Sequence, residues 1–92
     1  MTFVVDIDNT LLKSSSADYS DPRVFTKEVA LVNDAFAAGH TIILWTGRNW
    51  DKYDLTVEQL RAAGVCYNEL VMGKPQGVYV DADAKTSMED LA

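Results

Sequence analysis

Asp6 and Asp8 stand two residues apart at the end of an apolar run, in Val4-Val5-Asp6-Ile7-Asp8-Asn9-Thr10. At strand period their side chains point the same way. Two carboxylates that close invite a cation between them or a proton on one of them. Taken alone, the pair could equally open a loop, with Asn9 and Thr10 completing a turn. Three later features share this double character. Thr46-Gly47-Arg48 closes a second apolar run, so a hydroxyl and a glycine amide could face one edge, although a Thr-Gly pair by itself is an ordinary turn. Lys74 lies in Gly73-Lys74-Pro75, where a surface lysine in a turn is the plain alternative. Asp81 and Asp83 follow Tyr79-Val80 and could be no more than a solvated loop.

These residues need a frame that gathers them. Phe3–Ile7 and Thr41–Thr46 are rich in β-branched and aromatic residues without clean alternation, the pattern of strands buried on both faces of a parallel sheet. Glu69–Met72 and Val78–Val80 are weaker strand candidates. Val29, Val32 and Phe36 recur at helical spacing between Thr26 and Ala38, broadened by Leu31 and Ala35, and Gly39 follows as a helix stop. From about Asp54 to Ala63, Val57 and Leu60 mark an inner face and Gly64 ends the helix, while Thr56-x-x-Gln59 suggests a capping box. Alternation of strand and helix in a short chain predicts an α/β fold with a small Rossmann-like parallel sheet flanked by helices. Ligands of such sheets sit beyond the carboxyl ends of the strands. Every acid, hydroxyl and lysine named above falls at such an end or just after it.

Composition narrows the partners. The chain has 92 residues, 48% of them apolar, enough for one domain with a modest core and no second lobe. Its formal charge of −6 and pI of about 4.4 set it against nucleic acid and anionic membrane. A phosphorylated substrate is compatible with that field when a divalent cation lies between the anions. The single Cys66 excludes an internal disulfide and suits a reducing compartment. With a strand-like run following Met1 almost at once and no apolar run of membrane-spanning length, neither a signal peptide nor a membrane span is expected, and a cytoplasmic location is.

The order and spacing of Asp6-Ile7-Asp8-Asn9-Thr10, Thr46, Lys74 and Asp81 resemble the haloacid dehalogenase-like (HAD-like) superfamily of phosphohydrolases. The resemblance runs over nearly the whole chain. The stretches TIILWTGR and AGVCYNELVMGKP look most like its minimal, capless members associated with capsule or sugar biosynthesis. It implies a single HAD-like catalytic domain over 1–92, with a flap at 13–24 in place of a cap. It also implies a phosphatase in which Asp6 is the nucleophile and Asp8 the acid and base, through an aspartyl-phosphate. By the same resemblance Mg2+ is held by Asp6, the Asp8 carbonyl and Asp81, and the phosphoryl oxygens by Thr46, Gly47 and Lys74. Dehalogenases of the superfamily lack the second Asp of the first motif, so Asp8 favours phosphate esters, a sugar phosphate among them.

Departures from the pattern matter. Close relatives carry adjacent acids in the last motif, whereas this chain has Asp81-Ala82-Asp83, so Asp83 is an alternative ligand. A short C-terminal part makes a homo-oligomer attractive as cover for a sheet edge. Arg48 and Trp50 follow Thr46 and are expected to overhang the site, where they could take a sugar or a second anionic group. Thr10 completes the candidate set. His40 belongs at the opposite end of the sheet, and Cys66 and Trp45 read as core. Two rivals stand beside the phosphatase: a catalytically idle HAD-like binding protein, and a receiver-like phosphoacceptor domain. The latter would carry its phosphoacceptor on a middle strand, and no acid ends TIILWT.

Overall fold

The computed structural model describes residues 1–74 and the backbone of 84–85. Its elements are β1 (Thr2–Val5), β2 (Leu12–Lys13), β3 (Arg23–Val24), α1 (Thr26–Ala37), β4 (Thr41–Trp45), α2 (Tyr53–Ala62), β5 (Glu69–Val71) and β6 (Ala84–Lys85). Four strands make one parallel sheet in the order β5-β4-β1-β6. The expected small Rossmann-like α/β sheet flanked by helices is the fold.

β1 sits in the middle of the sheet for a plain reason: Phe3, Val4 and Val5 are all buried and leave no polar face for solvent. In β4, Ile42 and Leu44 are fully buried and alternate with half-buried Ile43 and Trp45. Val29 and Val32 from α1, Leu60 from α2, and Ile7, Leu11 and Leu12 from the turn after β1 join them in one core. Both helices stop at the expected glycines. At Gly64, with φ at +74°, the Val65 N–H reaches back to the Leu60 carbonyl, satisfying a terminal acceptor of α2.

Four local expectations are corrected. Phe36 is 36% exposed, because the buried stripe of α1 is Val29 and Val32 with Ala35 packed beside it. Cys66 is exposed rather than core, and its backbone N–H is held by Asn33 Oδ1. Trp45 is half-buried. Thr56 and Gln59 form no capping box: α2 begins at Tyr53, so both lie inside the helix and both are buried. His40 packs edge-on against Phe3 and meets the N-terminal amine of Met1, at the end of the sheet away from the Asp6 turn. The strand expected at 78–80 lies outside the described residues, while β6 pairs Ala84 and Lys85 with Thr2 and Phe3.

The segment 13–24 is a ribbon. β2 and β3 pair antiparallel, Leu12 with Val24 and Lys13 with Arg23. Its tip is tied by Ser14 Oγ to the Ser20 carbonyl and by Ser16 Oγ to Asp18 Oδ1, at 2.8 and 2.6 Å. Hydrogen bonds from Ser16, then from Ser20, hold the Asp18 carboxyl down from 3.8 to about 2. No helix among the described residues is long and apolar enough to cross a membrane.

Candidate active site

β1 ends at Val5, so Asp6 is the first residue beyond the carboxyl end of the central strand. The chain then turns at once. Ile7, fully buried, anchors the turn by accepting the N–H groups of Thr10, Leu11 and Leu12 on its carbonyl. Asn9 takes φ at 66°, a conformation its short polar side chain tolerates. A bridge between Asp8 and Leu12 runs through Ile7 O, Leu12 N, Leu12 O and Asn9 N, so the Asp8 carbonyl takes no part in it.

The Asp6 and Asp8 carboxylates each meet a different cationic side chain. Lys74 Nζ lies 3.7 Å from Asp6 Oδ1, which also accepts the Ile7 N–H at 2.9 Å. The Asp6 side chain is 42% exposed. Arg48 grips Asp8 through two arms, Nη2 to Oδ1 at 2.8 Å and Nε to Oδ2 at 3.0 Å. Splitting the pair between two cations answers the crowding that the spacing alone implies.

Lys74 reaches Asp6 because the pairing of β4 with β5 continues past both strands. Thr46 N–H donates to Val71 O, Lys74 N–H to Thr46 O and Gly73 N–H to Arg48 O, at 2.9, 2.9 and 2.7 Å. The stitched loops also set Gly47. It is exposed, and among the described residues its N–H has no protein acceptor. Thr46 is fully buried, its Oγ1 accepting the Arg48 N–H at 3.2 Å. The hydroxyl therefore fixes the loop that presents Gly47. Thr10 is half-buried and borders, with Asn9, a pocket also lined by Phe25 and Glu28.

Arg48 and Trp50 part company. Arg48 does not overhang the site: its side chain is buried, with Nη1 donating to Thr56 Oγ1 and Gln59 Oε1 at 3.1 and 2.8 Å. Tyr19 lies against the guanidinium, 4.3 Å from Cζ to the ring centre. Trp50 is 59% exposed, stacked on Tyr53, and its ring edge crosses Gly73. A Cβ on Gly73 would meet Trp50 Cδ1 and Nε1 at 3.3 Å, and φ is +71° there. Gly73→Ala is expected to lower stability by about 1–2 kcal/mol and to shift the Trp50 ring. Urea unfolding followed by tryptophan fluorescence measures both.

The described residues bring together Asp6, Asp8, Gly47 and Lys74, with Thr46 beneath them. Asp81 and Asp83 lie outside the described residues. Among those described, no cluster of three or more acids, histidines or cysteines stands ready for a metal. Asp6 carboxylate and Asp8 carbonyl are nonetheless hard oxygen donors of the type a small divalent cation takes. Thr56, Gln59 and Tyr19 are the residues that sequence reasoning missed. The spacing of Thr56 and Gln59, three apart on one helix face, was their only signal.

Solved structures share the fold. A crystal structure of an MCSG target from Vibrio cholerae matches with a TM-score of 0.72 at 25% identity, over 87% of this chain and 78% of that one. A structure of a Pnkp1/Rnl/Hen1 complex matches with a TM-score of 0.72 at 20% identity, over 87% of this chain. A Pnkp1/Rnl/Hen1 RNA repair complex matches with 0.69 at 21%, over 77% of this chain. In these two, the match spans 30% and 25% of the other chain. No family profile and no curated protein matches the chain.

Proposed function

We propose that the chain is a Mg2+-dependent phosphomonoester hydrolase with Asp6 as nucleophile. One observation carries the reading: a half-exposed carboxylate just past the central strand lies 3.7 Å from the Lys74 ammonium. Next to that lysine, the Gly47 N–H is open to a ligand. This is what a phosphoryl group needs, a nucleophile with donors and positive charge on its other oxygens.

In the first step a carboxylate oxygen of Asp6 bonds to phosphorus as the bond to the leaving oxygen breaks, its electron pair going to that oxygen. Asp8 enters this step as the neutral acid, gives that oxygen its proton and is left as the carboxylate that Arg48 holds. In the second step water attacks the aspartyl-phosphate and loses a proton to Asp8, releasing phosphate and restoring Asp6. Lys74 and the Gly47 N–H hold phosphoryl oxygens, and Thr46 acts through the loop it fixes. Asp6, the Asp8 carbonyl and Asp81 would hold Mg2+, which supplies charge neutralisation on the phosphoryl group.

A small phosphorylated metabolite, a sugar phosphate among them, is the substrate class in keeping with an acidic chain. RNA repair is named for one structural neighbour, and a likeness at 21% identity is one of fold. A net charge of −6 disfavours a polyanionic partner.

The test is turnover of p-nitrophenyl phosphate by the purified chain with added Mg2+ and with a chelator. Hydrolysis that depends on Mg2+ is expected, with a fall of at least about a hundredfold on chelation. No turnover under either condition would leave the idle binding protein as the better reading. A stable phosphoprotein that releases nothing would favour the phosphoacceptor domain.

A further inference from the structure

We propose that Arg48 is the positioning residue for Asp8, a buried strut that orients the acid–base carboxylate and takes its own place from α2 and the ribbon tip. The inference rests on the phosphatase reading and deepens it.

Asp8 belongs to no strand of the main sheet. It lies in the turn after β1, next to Asn9 at positive φ. Nothing in such a turn fixes the plane of a carboxylate, and a guanidinium fork does, because two parallel donors leave one orientation. Arg48 uses Nε and Nη2 for this, with its side chain entirely out of solvent while Asp8 stays 28% exposed. Each carboxylate oxygen has further acceptor capacity, so the exposed side of Asp8 is still able to face a leaving oxygen or a water.

The strut is itself held on three sides. Thr56 Oγ1 donates to Lys52 O at 2.7 Å, which turns a lone pair toward Arg48 Nη1. Gln59 Oε1 takes the other Nη1 proton, and its Nε2 donates to the Tyr19 carbonyl. The Tyr19 ring covers the guanidinium. One cation thus joins the candidate acid, the helix and the tip of the ribbon over 13–24. Buried in this way, Arg48 touches no substrate, and its influence on turnover passes through Asp8.

A proton donor matters in proportion to the basicity of the group that leaves. The experiment therefore compares p-nitrophenyl phosphate, whose leaving group needs little help, with glycerol 2-phosphate, an alkyl ester. Arg48→Met, Arg48→Lys and Gln59→Leu are assayed as full chains below their melting temperatures. For Arg48→Met, kcat/KM is expected to fall about 30-fold on the alkyl ester and less than about threefold on the aryl ester. The loss should lie in kcat, with Arg48→Lys and Gln59→Leu intermediate. Equal losses on both esters would overturn the proposal, as would a rise in KM alone. If Arg48→Met does not fold, Gln59→Leu decides by the same ratio, and an unchanged ratio overturns it. A wild-type chain that hydrolyses neither ester fails the phosphatase reading itself, whereas an active wild type with equal losses fails only Arg48's role.

Discussion

Asp6→Asn is expected to lower phosphate-ester turnover by about 10⁴-fold or more while the protein stays folded. Asparagine keeps the shape and removes the anionic oxygen that would attack phosphorus. The folding cost is small for reasons visible at the site. The amide oxygen still accepts the Ile7 N–H now bound by Oδ1. The contact given up is a 3.7 Å ion pair whose members are 23% and 42% exposed, and partly solvated pairs contribute about 0–1 kcal/mol. Turnover of p-nitrophenyl phosphate, with a melting curve on the same sample, measures both quantities. Activity within about tenfold of wild type would remove the covalent role, since no nucleophile of that importance is lost so cheaply.

Asp8→Asn comes second, with turnover of an alkyl phosphate expected to fall about 10²–10⁴-fold. The mechanism of loss differs from that at Asp6. An amide cannot give a proton to the leaving oxygen or take one from water, so the loss should shrink for a good leaving group. The substitution also reaches into the fold. It leaves the buried Arg48 guanidinium facing a neutral partner, and breaking a fully buried ion pair costs about 3–5 kcal/mol. Here the cost should be lower, since Asp8 is partly exposed and an asparagine oxygen still accepts one arm of the fork. A fall of about 1–3 kcal/mol is expected, noticeable in a domain with a margin of about 5–15 kcal/mol. Rates must therefore be compared at a temperature where both proteins are folded. Equal loss on alkyl and aryl esters would assign Asp8 a structural part only.

The same two residues show how far local pattern reaches. Runs rich in β-branched and aromatic residues over Phe3–Ile7 and Thr41–Thr46 announced the two inner strands, because a strand buried on both faces has no polar side to show. The helix stops at Gly39 and Gly64 were equally plain, since the positive φ that ends a helix favours glycine. Both signals are short-range and involve neighbours within a turn or a pleat.

Periodicity became ambiguous where two structures share one spacing. Thr56 and Gln59 lie three apart, which suits a capping box at a helix start and equally one face of a helix interior. Only the start of α2 at Tyr53 separates them, and there the pair holds Arg48 instead. Phe36 failed in the same manner: helical spacing put it near Val29 and Val32, but the partner surface ends at Ala35.

Residue types and their order were enough to mark Asp6, Asp8, Gly47 and Lys74 as candidates for one chemistry, and to place them at strand ends. Which cation faces which acid was not written there. Lys74 meets Asp6 and Arg48 meets Asp8 across long stretches of chain, brought together by strand register and by loops stitched beyond β4 and β5. Such pairings depend on where whole elements come to rest, a sum over many weak packing contacts that no single stretch of residues contains. Arg48 is the clearest instance, polar and loop-borne in sequence, yet buried at the junction of turn, helix and ribbon once the chain has folded.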